Sequence, residues 1–201
     1  MSKYLQTIDV YDKFSQHFSE YFRTIGSRIG DIEKALSFLK NKKDIHSVEI
    51  GCGDGRDAVE IIKRVSWYEG FDPSKGLLDI ARKKLPQSNF ILANALTYNY
   101  PKNIDVVFAF ASLLHVSKTD LTKVFKKVYQ SLKKEGIFYI SLKMRDNYTE
   151  EIKKDEYGER MFYYYNPEII KKISNDKFSP IYLEHKKNGE TEWFDIALKK
   201  N

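Results

Sequence analysis

Scarcities in the 201-residue chain narrow its chemistry first. A single cysteine, Cys52, rules out an internal disulfide and makes a reducing, cytoplasmic setting the expected one. No apolar run approaches the length of a membrane span; the longest, Val106–Leu114, is broken by Ser112. The stretch Met1–Val10 carries Asp9 and no apolar segment of signal-peptide length, so export is not expected. Arginine is scarce as well. Of 34 basic residues only seven are Arg, the residue suited to bidentate contact with phosphates and bases. The lysines come as scattered pairs, among them Lys83–Lys84, Lys126–Lys127 and Lys171–Lys172. The net charge of +6 therefore reads as a solvated surface rather than an RNA footprint. His17, His46 and His185 fall in no metal-ligand spacing, so no metal is expected.

What is present is an alternation. Hydrophobic residues are 42% and aromatics 14% of the chain, enough for one domain with a sizeable core. At the start, Ile8, Tyr11, Phe14, Phe18, Tyr21 and Ile25 recur at helical spacing. Ile29, Ile32, Leu36 and Leu39 repeat the pattern, which predicts two amphipathic helices. Ile45–Ile50 reads as a first strand, followed by Gly51-Cys52-Gly53-Asp54-Gly55 and a helix over Arg56–Arg64. A second strand, Tyr68–Phe71, ends at Asp72-Pro73, and Ser74 caps a helix with Leu77, Leu78, Ala81 and Leu85 on its apolar face. Phe90–Leu92 and the continuously apolar Ile104–Phe110 are the third and fourth strands. Ser117 and Asp120 have capping-box spacing and open a helix that Gly136 is expected to stop, before a fifth strand at Ile137–Leu142. Strand, turn and helix in repetition predict an α/β fold with five parallel strands and helices on both faces. The end differs: a short helix at Pro167–Ile173, then two strands, Ser179–His185 and Trp193–Lys199, joined across Asn188-Gly189 as an antiparallel hairpin.

In such a sheet ligands bind past the carboxyl ends of the strands, where the strand order reverses. The turn there is Glu49-Ile50-Gly51-Cys52-Gly53-Asp54-Gly55-Arg56-Asp57. Gly51 and Gly53 let the backbone turn tightly and approach a ligand with no Cβ in the way. The helix that follows presents N–H groups and a positive dipole end. A dinucleotide would need glycine where Arg56 stands, because a side chain there keeps the helix from a pyrophosphate. The Glu-x-Gly-x-Gly-x-Gly pattern suits a ligand with no phosphate and a ribose close to the loop. Asp72, at the end of the second strand, can accept from both ribose hydroxyls. S-adenosylmethionine has such a diol and no phosphate.

Val48–Asp57 resembles the first signature motif of the class I S-adenosylmethionine-dependent methyltransferases, and Phe71-Asp72-Pro73-Ser74 resembles their second, acidic one. The resemblance runs on through Asn94-Ala95, Ile104–Val116 and Leu132–Ser141 to the closing hairpin, from Ile45 to Lys199. It implies a Rossmann-like sheet of seven strands, the last two forming the reversed hairpin, and S-adenosylmethionine as cofactor. By position it implies that Gly51 and Gly53 line the methionine and ribose, and that Glu49 braces the loop or meets the methionine amino group. Asp72 would hold the ribose, Pro73 would pack near the adenine, and Ala111 would lie beside the adenine or sulfonium. Cys52 and Arg56 belong to the same loop and count among the cofactor contacts. Asn94 and Ala95 stand where the family often has Asp-Ala at the adenine edge; the Asn departs from the pattern but keeps an amide able to bond there. One methyltransferase domain over residues 1–201 is expected. It comprises a helical lid at 1–40, a cofactor-binding core at 45–142, a lid loop at 143–166, and a helix and closing hairpin at 167–201.

The methyl acceptor leaves weaker marks, since the cofactor arrives activated and the protein mainly aligns a nucleophile. The Asn/Asp-Pro-Pro-Tyr turn of amide and exocyclic-amine methyltransferases is absent, and no second cysteine exists to attack a pyrimidine. Ala111–Val116, with Gly158–Phe162 and Tyr163–Tyr165, resembles a bacterial branch of small-molecule methyltransferases whose acceptors are mostly unassigned. A small-molecule acceptor is therefore expected, against two alternatives: an RNA or protein methyltransferase, and a non-catalytic relative that only binds cofactor. His115, just past the fourth strand, is either the general base or a packing histidine. Arg160 either grips a carboxylate or phosphate on the acceptor or sits exposed in its loop. Tyr11 and Tyr164, with Phe14, Phe162 and Tyr163, would wall an aromatic acceptor pocket, though Tyr11 and Phe14 fit the buried face of a helix equally well.

Overall fold

In the computed structural model, which describes residues 3–201, Met1 and Ser2 of the expected lid lie outside the described residues. The chain runs through α1 (Lys3–Lys13), α2 (Ser15–Ile25), α3 (Ile29–Ser37), β1 (His46–Ile50), α4 (Ala58–Ile61), β2 (Trp67–Asp72), α5 (Lys75–Lys84) and β3 (Asn89–Leu92). It continues through β4 (Ile104–Phe110), α6 (Lys118–Ser131), β5 (Leu132–Lys143), β6 (Thr149–Asp155), β7 (Gly158–Tyr164), α7 (Pro167–Ser174), β8 (Phe178–Asn188) and β9 (Thr191–Lys200). β1 to β5 pair in parallel, and β9 and β8 close the sheet antiparallel, in the order β3-β2-β1-β4-β5-β9-β8. The expected five parallel strands and reversed hairpin are what the chain forms.

The apolar strands are explained by burial on both faces. Val48, Val107 and Phe138 face one helical layer with Leu121 and Val124 of α6 and Ile170 of α7. Val106, Phe108 and Tyr139 face the other, with Ile32 and Ala35 of α3, Ile61 of α4 and Leu78 of α5. Phe138 is fully buried, so Phe138→Ala would cost about 3–5 kcal/mol.

Four local expectations are corrected. The single N-terminal helix expected across Ile8–Ile25 breaks at Phe14 (φ −107°, ψ 28°) into α1 and α2. On the near side of the break, Asp12 accepts from the Gly76 N–H (2.6 Å) and tethers α1 to the start of α5. The helix expected over Arg56–Arg64 shortens to α4, because Asp57 accepts from the Arg28 N–H (2.8 Å) and from the Arg56 side chain (2.6 Å), which holds the preceding residues in the turn. α6 ends at Ser131 rather than Gly136: Leu132 is already extended and pairs with Ile104, while the Ser131 hydroxyl donates to the Pro101 carbonyl (2.5 Å).

The last correction concerns residues 143–166, read as a loop. They form an antiparallel hairpin, β6 with β7, in register from Thr149↔Tyr164 to Asp155↔Gly158. Glu150, Glu151, Lys153 and Lys154 make β6 polar on both faces, which is why no period of two shows in the sequence. Gly158 (φ +134°) closes the turn where a Cβ would meet the Val10 side chain at 2.8 Å. The hairpin is bonded to the N-terminal helices: the Met161 N–H donates to Thr7 Oγ1 (2.9 Å), and Tyr157 stacks on His17 with ring centres 4.0 Å apart.

Candidate active site

The strand order reverses at β1, between β2 and β4, and past their carboxyl ends lies a cavity of about 750 Å³. α1, α2 and the β6–β7 hairpin form its outer wall, contributing Tyr11, Phe18, Phe22, Arg160 and Phe162.

The glycine turn forms the floor. Gly51 (φ +69°) sits so close to the end of β4 that a Cβ would stand 2.3 Å from that of Ser112, whose hydroxyl donates to the Ile50 carbonyl (2.6 Å). Gly53 (φ +55°) has only the Phe22 ring within reach of a Cβ, so its open side faces the cavity. Ala111, also lining the cavity, holds a left-handed backbone (φ 51°) that a non-glycine residue adopts at a cost of order 1–2 kcal/mol.

Carboxylates crowd this end. Asp72 accepts from the N–H groups of Gly53 (3.0 Å) and Ser74 (2.8 Å), and burial pushes it up to about 6. Glu49 accepts from the Tyr68 hydroxyl (2.6 Å) and is pushed up to about 8 by burial and by Asp57. Asp54 is held by the Ser19 hydroxyl (2.7 Å) and Lys84 (2.8 Å). Pushed up to about 8, Glu49 is mostly neutral, and Arg56 (2.6 Å) and Lys84 (2.8 Å) offset Asp57 and Asp54. Asp72 is therefore the carboxylate that meets a ligand here; it disfavours a phosphate and suits a cationic, phosphate-free ligand.

The opposite end is aromatic and basic. His115 Nδ1 lies 2.6 Å from the Met161 carbonyl, which can only accept, so Nδ1 carries the proton. His115 Nε2 then accepts from the Tyr11 hydroxyl (3.0 Å), and Arg160 donates to the same Tyr11 oxygen (3.4 Å). Burial lowers His115 to about 4, so its imidazole is neutral at physiological pH. The same burial raises the Tyr11 phenol, against an opposing pull from Arg160.

The cavity brings together Glu49, Gly51, Cys52, Gly53, Arg56, Asp72, Pro73, Ala95 and Ala111 from the expected cofactor set, and Tyr11, His115 and Arg160 from the expected acceptor set. Two expected residues lie elsewhere. Asn94 does not line the cavity: its side-chain oxygen accepts from the Leu96 (2.9 Å) and Thr97 (3.0 Å) N–H groups and closes a turn. Tyr164 is buried in the core, with the Arg145 guanidinium 3.9 Å above its ring. Phe14 and Tyr163 also face away, against Tyr157 and Tyr148. Arg160 is not an exposed loop residue: it is largely enclosed and ion-paired to Asp155.

Sequence reasoning missed five basic residues on the cavity wall, Arg28, Lys143, Lys153, Lys186 and Lys187. Arg28 lies over the Phe110 ring (5.7 Å) and donates to the Ser141 hydroxyl (3.2 Å), and its Nε is buried with no partner.

Solved structures share this fold. The magnesium protoporphyrin IX methyltransferase of Synechocystis, solved with S-adenosylmethionine bound, superposes with a TM-score of 0.76 at 13% identity over 100% of this chain and 98% of its own. A Leishmania major S-adenosylmethionine-dependent methyltransferase reaches 0.78 at 15% identity over 99% of this chain and 83% of its own. The sequence profile of the family described as methyltransferase domain matches residues 48–136, from β1 through the glycine turn into β5. Residues 48–136 thus match a methyltransferase domain, and the chain is similar over its whole length to S-adenosylmethionine-dependent methyltransferases. S-adenosylmethionine is the cofactor such an enzyme uses, and the cationic, phosphate-free ligand that the acidic end fits is of this kind. Among curated relatives of this methyltransferase, a trans-aconitate 2-methyltransferase of Rhizobium rhizogenes is 27% identical over 52% of this chain and 40% of its own length. A ubiquinone/menaquinone biosynthesis C-methyltransferase of Campylobacter jejuni is 26% identical over 99% of this chain and 89% of its own.

Proposed function

We propose that this methyltransferase alkylates a small-molecule acceptor held between the N-terminal helices and the β6–β7 hairpin. The observation that carries the reading is the continuity of one cavity from Gly51, Gly53 and Asp72 to Tyr11 and His115. The small size of that space favours a small acceptor, as do the curated relatives, which act on trans-aconitate and on quinone precursors by their names. Among the described residues no helix is long and apolar enough to cross a membrane. We assign the reaction to the cytoplasm, where a free thiol such as Cys52 persists.

When bound, S-adenosylmethionine supplies an electrophilic methyl group on a sulfonium. The chain's residues do the rest. Asp72, anchored by two backbone N–H groups, turns its remaining lone pairs to the ribose diol. Gly51 and Gly53 admit the backbone to close contact, and Glu49 braces the loop through Tyr68. Pro73 and Ala95, which line the cavity, would pack at the adenine, and Ala111 would lie beside the adenine or sulfonium. Arg28 meets the methionine carboxylate with its unpartnered edge. Tyr11 faces the acceptor, and His115 fixes the direction of its hydroxyl proton. A proton taken up at the Tyr11 oxygen is matched by passage of its own proton to His115 Nε2. The depressed His115 pKa makes that relay costly, so it serves a nucleophile whose proton is loosely held.

Calorimetry tests the cofactor half: S-adenosylhomocysteine should bind and NAD should not. Micromolar NAD binding with none for S-adenosylhomocysteine would overturn the reading. Mass spectrometry of small molecules released from the purified protein then narrows the acceptor.

A further inference from the structure

The hairpin end of the cavity carries a charge that the cofactor does not explain. Lys143 is the last residue of β5, Lys153 lies within β6, and Arg160 lies on β7. All three line the cavity, and their cationic groups converge on one ring. The Lys143 ammonium is 4.2 Å from the centre of Phe162, the Arg160 guanidinium 5.7 Å, and the Lys153 ammonium 6.0 Å. The Trp193 ring flanks Lys143 at 5.6 Å. Asp155 is the one hairpin carboxylate lining the cavity, and Arg160 holds it. Lys143 and Lys153 have no ion pair among the described residues, and Arg160 Nε is buried without a hydrogen-bond partner. Nearby Arg145 and Glu151 pair with each other at 2.7 Å and leave the excess unchanged. Burial first, and then the neighbouring Lys153 and Arg160, push Lys143 down to about 8.

Such a cluster is unfavourable by itself and becomes favourable once an oxyanion sits among the three groups. Aromatic walls at Phe162 and Trp193 exclude water and strengthen that contact. We propose that this end of the cavity is an anion clamp, in which Lys143, Lys153 and Arg160 hold a carboxylate or phosphate on the methyl acceptor. The proposal rests on the reading of the cavity as a methyltransferase site. It gives the acceptor two features: an oxyanion at the hairpin, and a nucleophile that reaches back past Tyr11 toward the glycine turn.

The test is calorimetric titration with succinate and, separately, with inorganic phosphate, each with and without saturating S-adenosylhomocysteine and at constant ionic strength. One of the two anions should bind the wild type, and which one does tells a carboxylate acceptor from a phosphorylated one. Lys143→Met should weaken that anion at least about tenfold, the worth of a charge-assisted hydrogen bond, and Lys143→Arg should restore most of it. Lys143→Met should also raise the melting temperature of the unliganded protein, because it removes a repelled charge. S-adenosylhomocysteine affinity should change far less than anion affinity, since Lys143 stands at the end of β5 and bonds none of the glycine-turn residues. Binding of neither anion, equal binding by wild type and Lys143→Met, or competition between the anion and S-adenosylhomocysteine would each overturn the clamp. Failure of the underlying methyltransferase reading appears separately, as wild-type protein that does not bind S-adenosylhomocysteine; the titrations without it still judge the clamp.

Discussion

The two ends of the cavity are built in opposite ways. At the glycine turn, Glu49, Asp54, Asp57 and Asp72 are each less than a tenth exposed, and all but Asp72 come from one nine-residue stretch of chain. At the hairpin, Lys143, Lys153 and Arg160 come from three separate elements and meet only through the fold. The acidic end attracts a cationic donor and repels phosphates; the basic end offers itself to an anion. A cavity polarised in this way draws donor and acceptor to different ends and leaves their reactive atoms to meet in the middle, where Tyr11 and His115 lie.

The most damaging change to the acidic end should be Gly51→Ala. The new methyl would meet Ser112 at 2.3 Å in a backbone conformation that already disfavours it. S-adenosylhomocysteine binding should fall at least about a hundredfold, from close overpacking plus backbone strain of roughly 3 kcal/mol together. Wild-type affinity and melting temperature in this variant would show that the turn does not need its glycine.

Asp72→Ala should come next, with affinity reduced by about 1.5–3 kcal/mol. Its melting temperature should fall too, because the buried Gly53 and Ser74 N–H groups lose their acceptor. The elevated pKa adds a pH signature. Asp72 holds its proton to about pH 6, so affinity should drop as pH falls below that value, by up to about tenfold per unit. In the free protein the sign is opposite. The folded state binds this proton more tightly than the unfolded chain, so the Asp72 contribution to stability is present at low pH and is lost as pH rises from about 4 to about 6. Asp72→Asn should remove both dependences, seen in calorimetry and thermal melts across pH 4–8.

The same contrast explains what the sequence could tell. The glycine turn, Asp72 and the parallel strands are local patterns: periodicity, a glycine spacing, an acidic residue at a strand end. Such signals survive in one dimension. Asn94 misled because a side-chain amide at a strand end serves a turn as readily as a ligand. Tyr164 misled because it follows Phe162 on the same face of β7, yet one step along the strand the Arg145 guanidinium covers it. The hairpin itself was hidden by a β6 that buries little, and with it went Lys143 and Lys153, whose meeting at Phe162 depends on three strands being in place.

At the junction of the two ends, Tyr11→Phe and His115→Asn should each slow single turnover by about tenfold, less than the 10²–10⁴ of a direct base, since His115 acts through Tyr11. The double variant should be no slower than either single one, as expected of residues acting as a unit. With its imidazole held near pKa 4, His115 should add no step to the rate profile between pH 5 and 8. Additive losses, or a step near pH 6.5 that His115→Asn abolishes, would instead make His115 an independent base.

The smallest expected effect separates charge from shape at the acidic end. Lys84 stands behind Asp54, its ammonium 2.8 Å away and its side chain 37% exposed, and it offsets part of the negative charge there. Lys84→Met removes that offset without touching the glycine turn. Its cost to folding should be small, within the roughly 0.2–1 kcal/mol of a partly exposed ion pair, and Ser19 still bonds Asp54. Its effect on ligands depends on their charge. S-adenosylmethionine carries a sulfonium and S-adenosylhomocysteine a neutral sulfur, so a more acidic end should favour the first. The ratio of the two affinities should shift toward S-adenosylmethionine by about twofold at low salt and return toward the wild-type ratio as salt screens the field. Equal changes for both ligands would mean that Lys84 acts by holding Asp54 in place, and that the acidic end selects its ligand by contact alone. A shift confined to S-adenosylmethionine would show that the buried carboxylates act on the sulfonium as a field.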